Sequence, residues 1–230
     1  HGGQQLSIQD TSQAMMKAVF PALDGFGLAI PDAPEAVDAK RVLDLAVASL
    51  LVVLLAPLLA LLTLAIAIDS GGPVLFCQRR TGLNGQTFGI FKFRSMHVLE
   101  DGAEVIQASA HDARITRVGR IIRKLSLDEL PQLFNVIAGD MSLVGPRPHA
   151  VAHDEHYSER VSNYAVRQRV KPGITGWAQV NGARGATPTL DVMQRRIDLD
   201  AWYVAHASLA LDLNILLRTP LAVLFSENAL

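Results

Sequence analysis

Residues 45–68 read LAVASLLVVLLAPLLALLTLAIAI, 24 consecutive positions without a charged side chain. A helix needs about 20 predominantly apolar residues to cross the ~30 Å hydrocarbon core of a bilayer, so this run reads as a membrane segment. It begins too far into the chain, and is too long, to be the apolar region of a cleaved signal peptide. A helix buried in a soluble core is the alternative. Pro57 stands near the middle, where its missing N–H and its ring favour a kink. Ser49 and Thr63 can satisfy backbone groups that a bend frees. Lys40 and Arg41 precede the run and Arg79 and Arg80 follow it, so flanking charge sets no orientation. Two topologies stay open: a kinked span, or a re-entrant helix that bends at Pro57 and leaves by the face it entered.

The composition agrees with a membrane-associated chain. Of 230 residues, 50% are hydrophobic and 19% charged, and the mean hydropathy is +0.24, which argues against disorder. A net charge of −1 excludes a polycationic surface for nucleic acid, so a phosphate partner must be met by a local cluster. The single Cys77 excludes a disulfide framework and a cysteine-rich zinc site and fits a reducing compartment. Residues 1–39, ending in PDAPEA, read as a linker or the remnant of an upstream region. Residues 201–225 are apolar but interrupted by His206, Asp212, Arg218 and Pro220, which predicts an interfacial or core-facing helix pair. Trp202 and Tyr203 suit either a water–lipid boundary or a core.

Between these apolar ends lie the polar motifs. The alternation Phe91-Lys92-Phe93-Arg94 predicts a short strand with both cations on one face, within a β-hairpin. From Asp112 to Lys124, Arg114, Arg117, Arg120 and Arg123 recur beside Ile115, Val118, Ile121 and Ile122. At helical spacing this is a basic stripe beside an apolar one. It serves either as a solvated face or as an attractor for anionic headgroups or a phosphate substrate.

SLDELPQLFNV at 126–136 predicts a helix start, with Ser126 and Glu129 as a capping box or Asp128 itself as the cap. Either way Asp128 lies at the positive end of a helix dipole. GDMSLVGPRP at 139–148 holds Arg147 between two prolines, a stiff presentation suited to bidentate phosphate contact. KPGITGWAQVNG at 171–182 adds a glycine-punctuated loop with amide side chains, by itself a weak phosphate signal. His149, His153 and His156 cluster without metal spacing and read as a solvated loop or helix face.

Phe76, Gln78, Arg80, Gly82, Gly85 and Phe88, then KFRSM at 92–96 and the three longer motifs, follow one another in an order that resembles the bacterial monotopic phosphoglycosyl transferases. The resemblance covers about residues 40–230. It implies a mostly helical α+β catalytic domain over 40–230, monotopic in the membrane, with a re-entrant kinked helix bent at Pro57, a small β-hairpin and amphipathic interfacial helices. It further implies transfer of a sugar-1-phosphate, hexose by analogy, from a UDP-sugar to undecaprenyl phosphate with release of UMP. The place is the cytoplasmic face of the bacterial inner membrane, in surface polysaccharide assembly such as exopolysaccharide or lipopolysaccharide.

By that resemblance Asp128 is the nucleophile and, with Mg2+, the metal-binding carboxylate. Glu129 either completes the metal shell or handles protons and water. Arg123 and Arg147, ahead of Lys92 and Arg94, are expected to clamp phosphate, because cations meet the charge that develops on phosphoryl oxygens. Gln179 and Asn181 are expected to recognise nucleotide or sugar. Membrane lipids are expected partners, a homodimer is an option, and nucleic acid is not expected. Two other classes stay open: a glycosyltransferase that releases UDP, and a non-catalytic lipid-binding scaffold.

Overall fold

The computed structural model describes residues 39–97 and 112–224; the expected linker, apart from residue 39, lies outside them. The apolar run forms most of helix α1 (Ala39–Ser70), one 32-residue helix with Pro57 inside it. It is long and apolar enough to cross a membrane and about 48 Å in length. Asp44, Ala48, Val52, Leu59, Leu62 and Ile66 are its buried positions. Their three-, four- and seven-residue steps make one stripe along the whole helix. Leu50, Val53, Leu54, Leu61, Leu64 and Ile68, off that stripe, are all more than half exposed.

Both ends of α1 are tied to the same folded body. At its start, Lys40 Nζ donates to Val144 O at 3.0 Å and pairs with Asp212. Asp44 accepts from Leu143 N at 2.9 Å and Ser142 Oγ at 3.1 Å. At its end, Asp69 accepts from Val118 N at 3.0 Å and Ser70 Oγ from Arg94 Nη2 at 2.8 Å. Ala48 and Val52 pack into a core with Phe91, Leu133, Phe134, Val136, Met141, Tyr203 and Ile215. Leu59, Leu62 and Ile66 pack into a second with Phe93 and Ile122.

Strands β1 (Leu75–Thr81) and β2 (Thr87–Phe93) form the antiparallel hairpin, from Leu75↔Phe93 to Thr81↔Thr87. Phe91 and Phe93 enter the cores. The alternation put both cations on one face of the strand, but only Lys92 belongs to it and reaches an ion pair with Glu129, whereas Arg94 falls just past the strand and is buried against the end of α1. Helix α2 (Arg117–Lys124) begins later than the arginine repeat predicts. Thr116 Oγ1 accepts from Gly119 N at 2.8 Å and caps it there, while Arg114 is turned back onto Asp112. Helix α3 (Gln132–Ala138) ends against Arg41, whose guanidinium donates to Val136 O at 2.6 Å and Ile137 O at 3.0 Å. Such side-chain donors satisfy terminal carbonyls.

The strands β3 (Ser142–Val144) and β4 (Gly173–Thr175) pair in parallel, Ser142↔Gly173 and Val144↔Thr175. This joins the GPRP and KPGITG motifs. Their backbones touch through glycine: a Cβ on Gly145 would sit 2.3 Å from Lys171 O, and one on Gly173 would sit 2.1 Å from Gly145 N. Helix α4 (Val151–Ser158), a 3₁₀ turn over Tyr164–Arg169 and α5 (Trp177–Val180) follow. The described residues close with α6 (Leu190–His206) and α7 (Leu209–Leu224), the latter containing Pro220. Of the two aromatics read as boundary or core, Tyr203 is fully buried and donates to Asp212 Oδ1 at 2.7 Å. Trp202 is 40% exposed and stacks between Trp177 and His206.

Candidate active site

Asp128 stands in a 3₁₀ turn, Leu127–Glu129, between α2 and α3. The chain enters that turn through Ser126 at φ +54° and leaves it at Pro131, the residue capping α3. Neither expected capping arrangement forms. The Ser126 hydroxyl accepts from Arg184 instead of from a helix N–H, and Glu129 is held by two cations. What results is a tight turn that turns Asp128 inward while Pro131, which lacks an N–H, starts the helix at no cost.

Glu129 accepts Arg147 Nη1 on Oε2 at 2.9 Å, and its Oε1 takes Arg147 Nη2 together with Lys92 Nζ at 2.9 Å. Burial alone would raise its pKa, but Arg147 and Lys92 outweigh that and hold the carboxyl well below its ordinary range. Asp128 differs: it is 7% exposed and accepts no hydrogen bond among the described residues. Burial, then the charge of Glu129, push it up to about 6 against the pull of Lys92, Arg123 and Arg147. Two adjacent carboxylates are thus driven apart, one fixed as a counterion and the other left open.

Both face a cavity of about 580 Å³, a size that suits a small organic ligand. Seven arginine and lysine side chains line it against these two carboxylates: Arg80, Lys92, Arg114, Arg123, Arg147, Arg184 and Arg196. Leu51 and Leu55 of α1 and Leu216, Ala222 and Val223 of α7 form apolar wall. Such a lining is complementary in charge and polarity to an anionic head beside a hydrocarbon chain.

The structure gathers most of the predicted residues there. Arg123, Arg147, Lys92 and Gln179 line the cavity with Asp128 and Glu129. Arg123 Nε is buried without a partner. Gln179 Nε2 donates to Ile174 O at 2.9 Å, leaving its buried Oε1 unpartnered. Arg94 is spent on Ser70. Asn181 stands apart as well, donating to Trp177 O and accepting from Arg218. Sequence reasoning did not single out Arg80, Arg184, Arg196 or His149 as site residues, although all four line the cavity. Arg80 belonged to a quoted motif, but nothing in spacing brings α6, the hairpin and the 180s loop together. His149, read as solvated, is 6% exposed.

The donor set can be compared with the expected Mg2+. No group of three or more His, Cys, Asp or Glu side chains that could cage a metal occurs among the described residues. The open carboxylate of Asp128 fits Mg2+, which keeps much of its water and binds through one or two carboxylates plus substrate phosphates. Glu129 is occupied by Arg147 and Lys92.

Known proteins share much of this sequence. The pattern described as bacterial sugar transferase matches residues 35–226. Over 190 residues the chain is 56% identical to a UDP-glucose:undecaprenyl-phosphate glucose-1-phosphate transferase of Caulobacter vibrioides, covering 83% of this chain and 71% of the relative. An Escherichia coli protein of the same name is 48% identical over 78% of this chain and 39% of its own length. A UDP-N-acetylgalactosamine-undecaprenyl-phosphate N-acetylgalactosaminephosphotransferase of Aeromonas hydrophila is 41% identical over 83% and 44%. The chain therefore spans less than half the length of the last two relatives. With a family match running from before α1 to the end of α7, and 56% identity over 190 residues to the first of these relatives, the chain belongs to the bacterial sugar transferase family.

Proposed function

We propose that this chain transfers a hexose-1-phosphate, glucose first among candidates, from a UDP-hexose to undecaprenyl phosphate at the cytoplasmic face of the bacterial inner membrane. The observation that carries this reading is the open Asp128 carboxylate, facing a cavity with seven cations and a wall from the apolar helix. The names of the relatives supply the substrates.

In the first step a carboxylate oxygen of Asp128 attacks the phosphorus that bears the sugar. The bond from that phosphorus to the bridging oxygen breaks, UMP leaves, and a sugar-phosphoryl aspartate remains. In the second step a phosphate oxygen of undecaprenyl phosphate attacks the same phosphorus and frees Asp128. An anionic nucleophile meeting an anionic diphosphate is repelled by about 4 kcal/mol per charge pair at ~4 Å and an effective dielectric of ~20. Lys92, Arg123 and Arg147 offset that repulsion and receive the charge that spreads over the phosphoryl oxygens. Bound Mg2+, held by Asp128 and the diphosphate, would add neutralisation and stabilise the leaving oxygen. Glu129 keeps Lys92 and Arg147 in place.

The lipid acceptor reaches this centre along α1. Because both ends of α1 hold the same body, a re-entrant course bent at Pro57 fits better than a span whose ends lie across the bilayer. The test is incubation of purified protein with UDP-glucose and Mg2+ without lipid acceptor. One equivalent of UMP per protein is expected; UDP released only when acceptor is supplied would favour a glycosyltransferase, and no turnover with any UDP-sugar a lipid-binding scaffold.

A further inference from the structure

Beside the Asp128 centre lies a buried polar cluster that the transfer steps do not use. His149 Nδ1 is 2.6 Å from Tyr164 Oη and is also met by Arg167 Nη1. The hydroxyl of Tyr164 donates its proton to Asp154 Oδ1. A guanidinium can only donate, so Nδ1 is an acceptor and the proton of the neutral ring sits on Nε2. Arg167 is held in turn by Asp200 at 3.3 Å and donates its Nη2 to Arg147 O.

Nε2 is buried and has no partner. An orphaned buried donor is uncommon in native proteins and calls for an explanation. The Nδ1 edge of the ring faces Arg167 and Asp154, which border a separate pocket of only about 10 Å³. His149 also lines the main cavity, and with Nδ1 engaged by Tyr164 and Arg167, Nε2–H is the ring group left for a ligand. The groups around the ring are Tyr164 and Arg167 of the 3₁₀ turn, Asp154 and His153 of α4, Arg196 of α6 and Arg80 of β1. Burial, then Arg167, Arg196 and Arg80, hold its pKa well below the ordinary histidine value.

We propose that His149 is a binding residue for the nucleotide sugar: a neutral imidazole whose Nε2–H donates to an uncharged acceptor oxygen, on the pyrimidine or on the sugar, with Arg167 as the positioning residue that fixes its tautomer. This rests on the reading of the cavity as a UDP-sugar site. Lys92, Arg123 and Arg147 are already assigned to the diphosphate. A donor kept neutral discriminates by geometry, and a site built to pair a carbonyl or hydroxyl rejects ligands lacking it.

The experiment compares His149→Leu, which removes the donor, with His149→Gln, which keeps an amide N–H, in the full chain reconstituted in nanodiscs. His149→Leu is expected to raise KM for UDP-glucose about five- to tenfold, the worth of one neutral hydrogen bond, with kcat within about twofold. His149→Gln should recover most of the loss. UMP binding weakened in parallel places the acceptor on the nucleotide, and UMP binding unchanged places it on the sugar. Arg167→Gln should also raise KM with kcat little changed, and should add no further loss in the His149→Leu background, as expected of a residue that acts through the ring. Unchanged KM in His149→Leu overturns the proposal, as does equal loss in the leucine and glutamine variants, the mark of a packing role. A wild type that neither binds nor turns over any UDP-sugar overturns the functional reading itself.

Discussion

Asp128 carries its charge at a cost. Its carboxyl is pushed up to about 6 from an ordinary 3.8, by burial first and by Glu129 second. The unfolded chain ionises this group at lower pH than the folded one. The contribution of this one group to folding stability is therefore most favourable below about pH 4, declines between about pH 4 and 6, and carries its full penalty above 6. Asp128→Asn should raise the melting temperature at pH 8, by a stabilisation on the order of 1–3 kcal/mol, and the gain should vanish near pH 4; thermal unfolding at both pH values checks this. In the proposed mechanism the ionised form attacks, so acceptor-free UMP release should rise with pH through about 6 and level off above 7. The adjacency of Asp128 and Glu129 was legible in the sequence. Their division of labour was not, because it depends on Lys92 arriving from β2 and Arg147 from beyond β3.

At the scale of elements, α1 and the paired β3 and β4 shape the site. The long apolar helix and the hairpin were legible because each is a local pattern, one of unbroken apolarity and one of alternation. The β3–β4 pairing was not, since it joins residues some 30 positions apart. Its glycines make it testable: Gly145→Ala would place a Cβ 2.3 Å from Lys171 O. Backbone cannot yield there as a side chain would, so a loss of more than about 2 kcal/mol is expected in thermal unfolding; a wild-type melting temperature would show that this crossing relaxes freely. For α1, a re-entrant course predicts that Ala39→Cys and Pro73→Cys, each in a Cys77→Ser background, label from the same side of sealed vesicles. Labelling from opposite sides would establish a span. Nothing in composition decides between those two, because a bend at proline and a kinked span use the same residues.

The whole molecule joins two surfaces of opposite character. Exposed leucines on α1 and on α7, among them Leu61, Leu64, Leu217 and Leu221, suit contact with lipid tails rather than water. A cavity rich in arginine opens between these same helices. The nearly neutral net charge of −1 conceals this, because the cationic wall is assembled from β1, β2, α2, α6 and the connecting loops, and only folding concentrates it. The motifs pointed to a phosphate site; the convergence of Arg80, Arg184 and Arg196 upon it follows from tertiary structure alone. The central claim, covalent transfer through Asp128, is tested most directly by intact-protein and peptide mass spectrometry after incubation with UDP-glucose and Mg2+ in the absence of acceptor. The account predicts one hexose-phosphate per protein on the peptide containing Asp128, lost in Asp128→Asn and discharged by undecaprenyl phosphate. An unmodified wild type that still makes lipid-linked sugar, or an adduct that persists in Asp128→Asn, would contradict it.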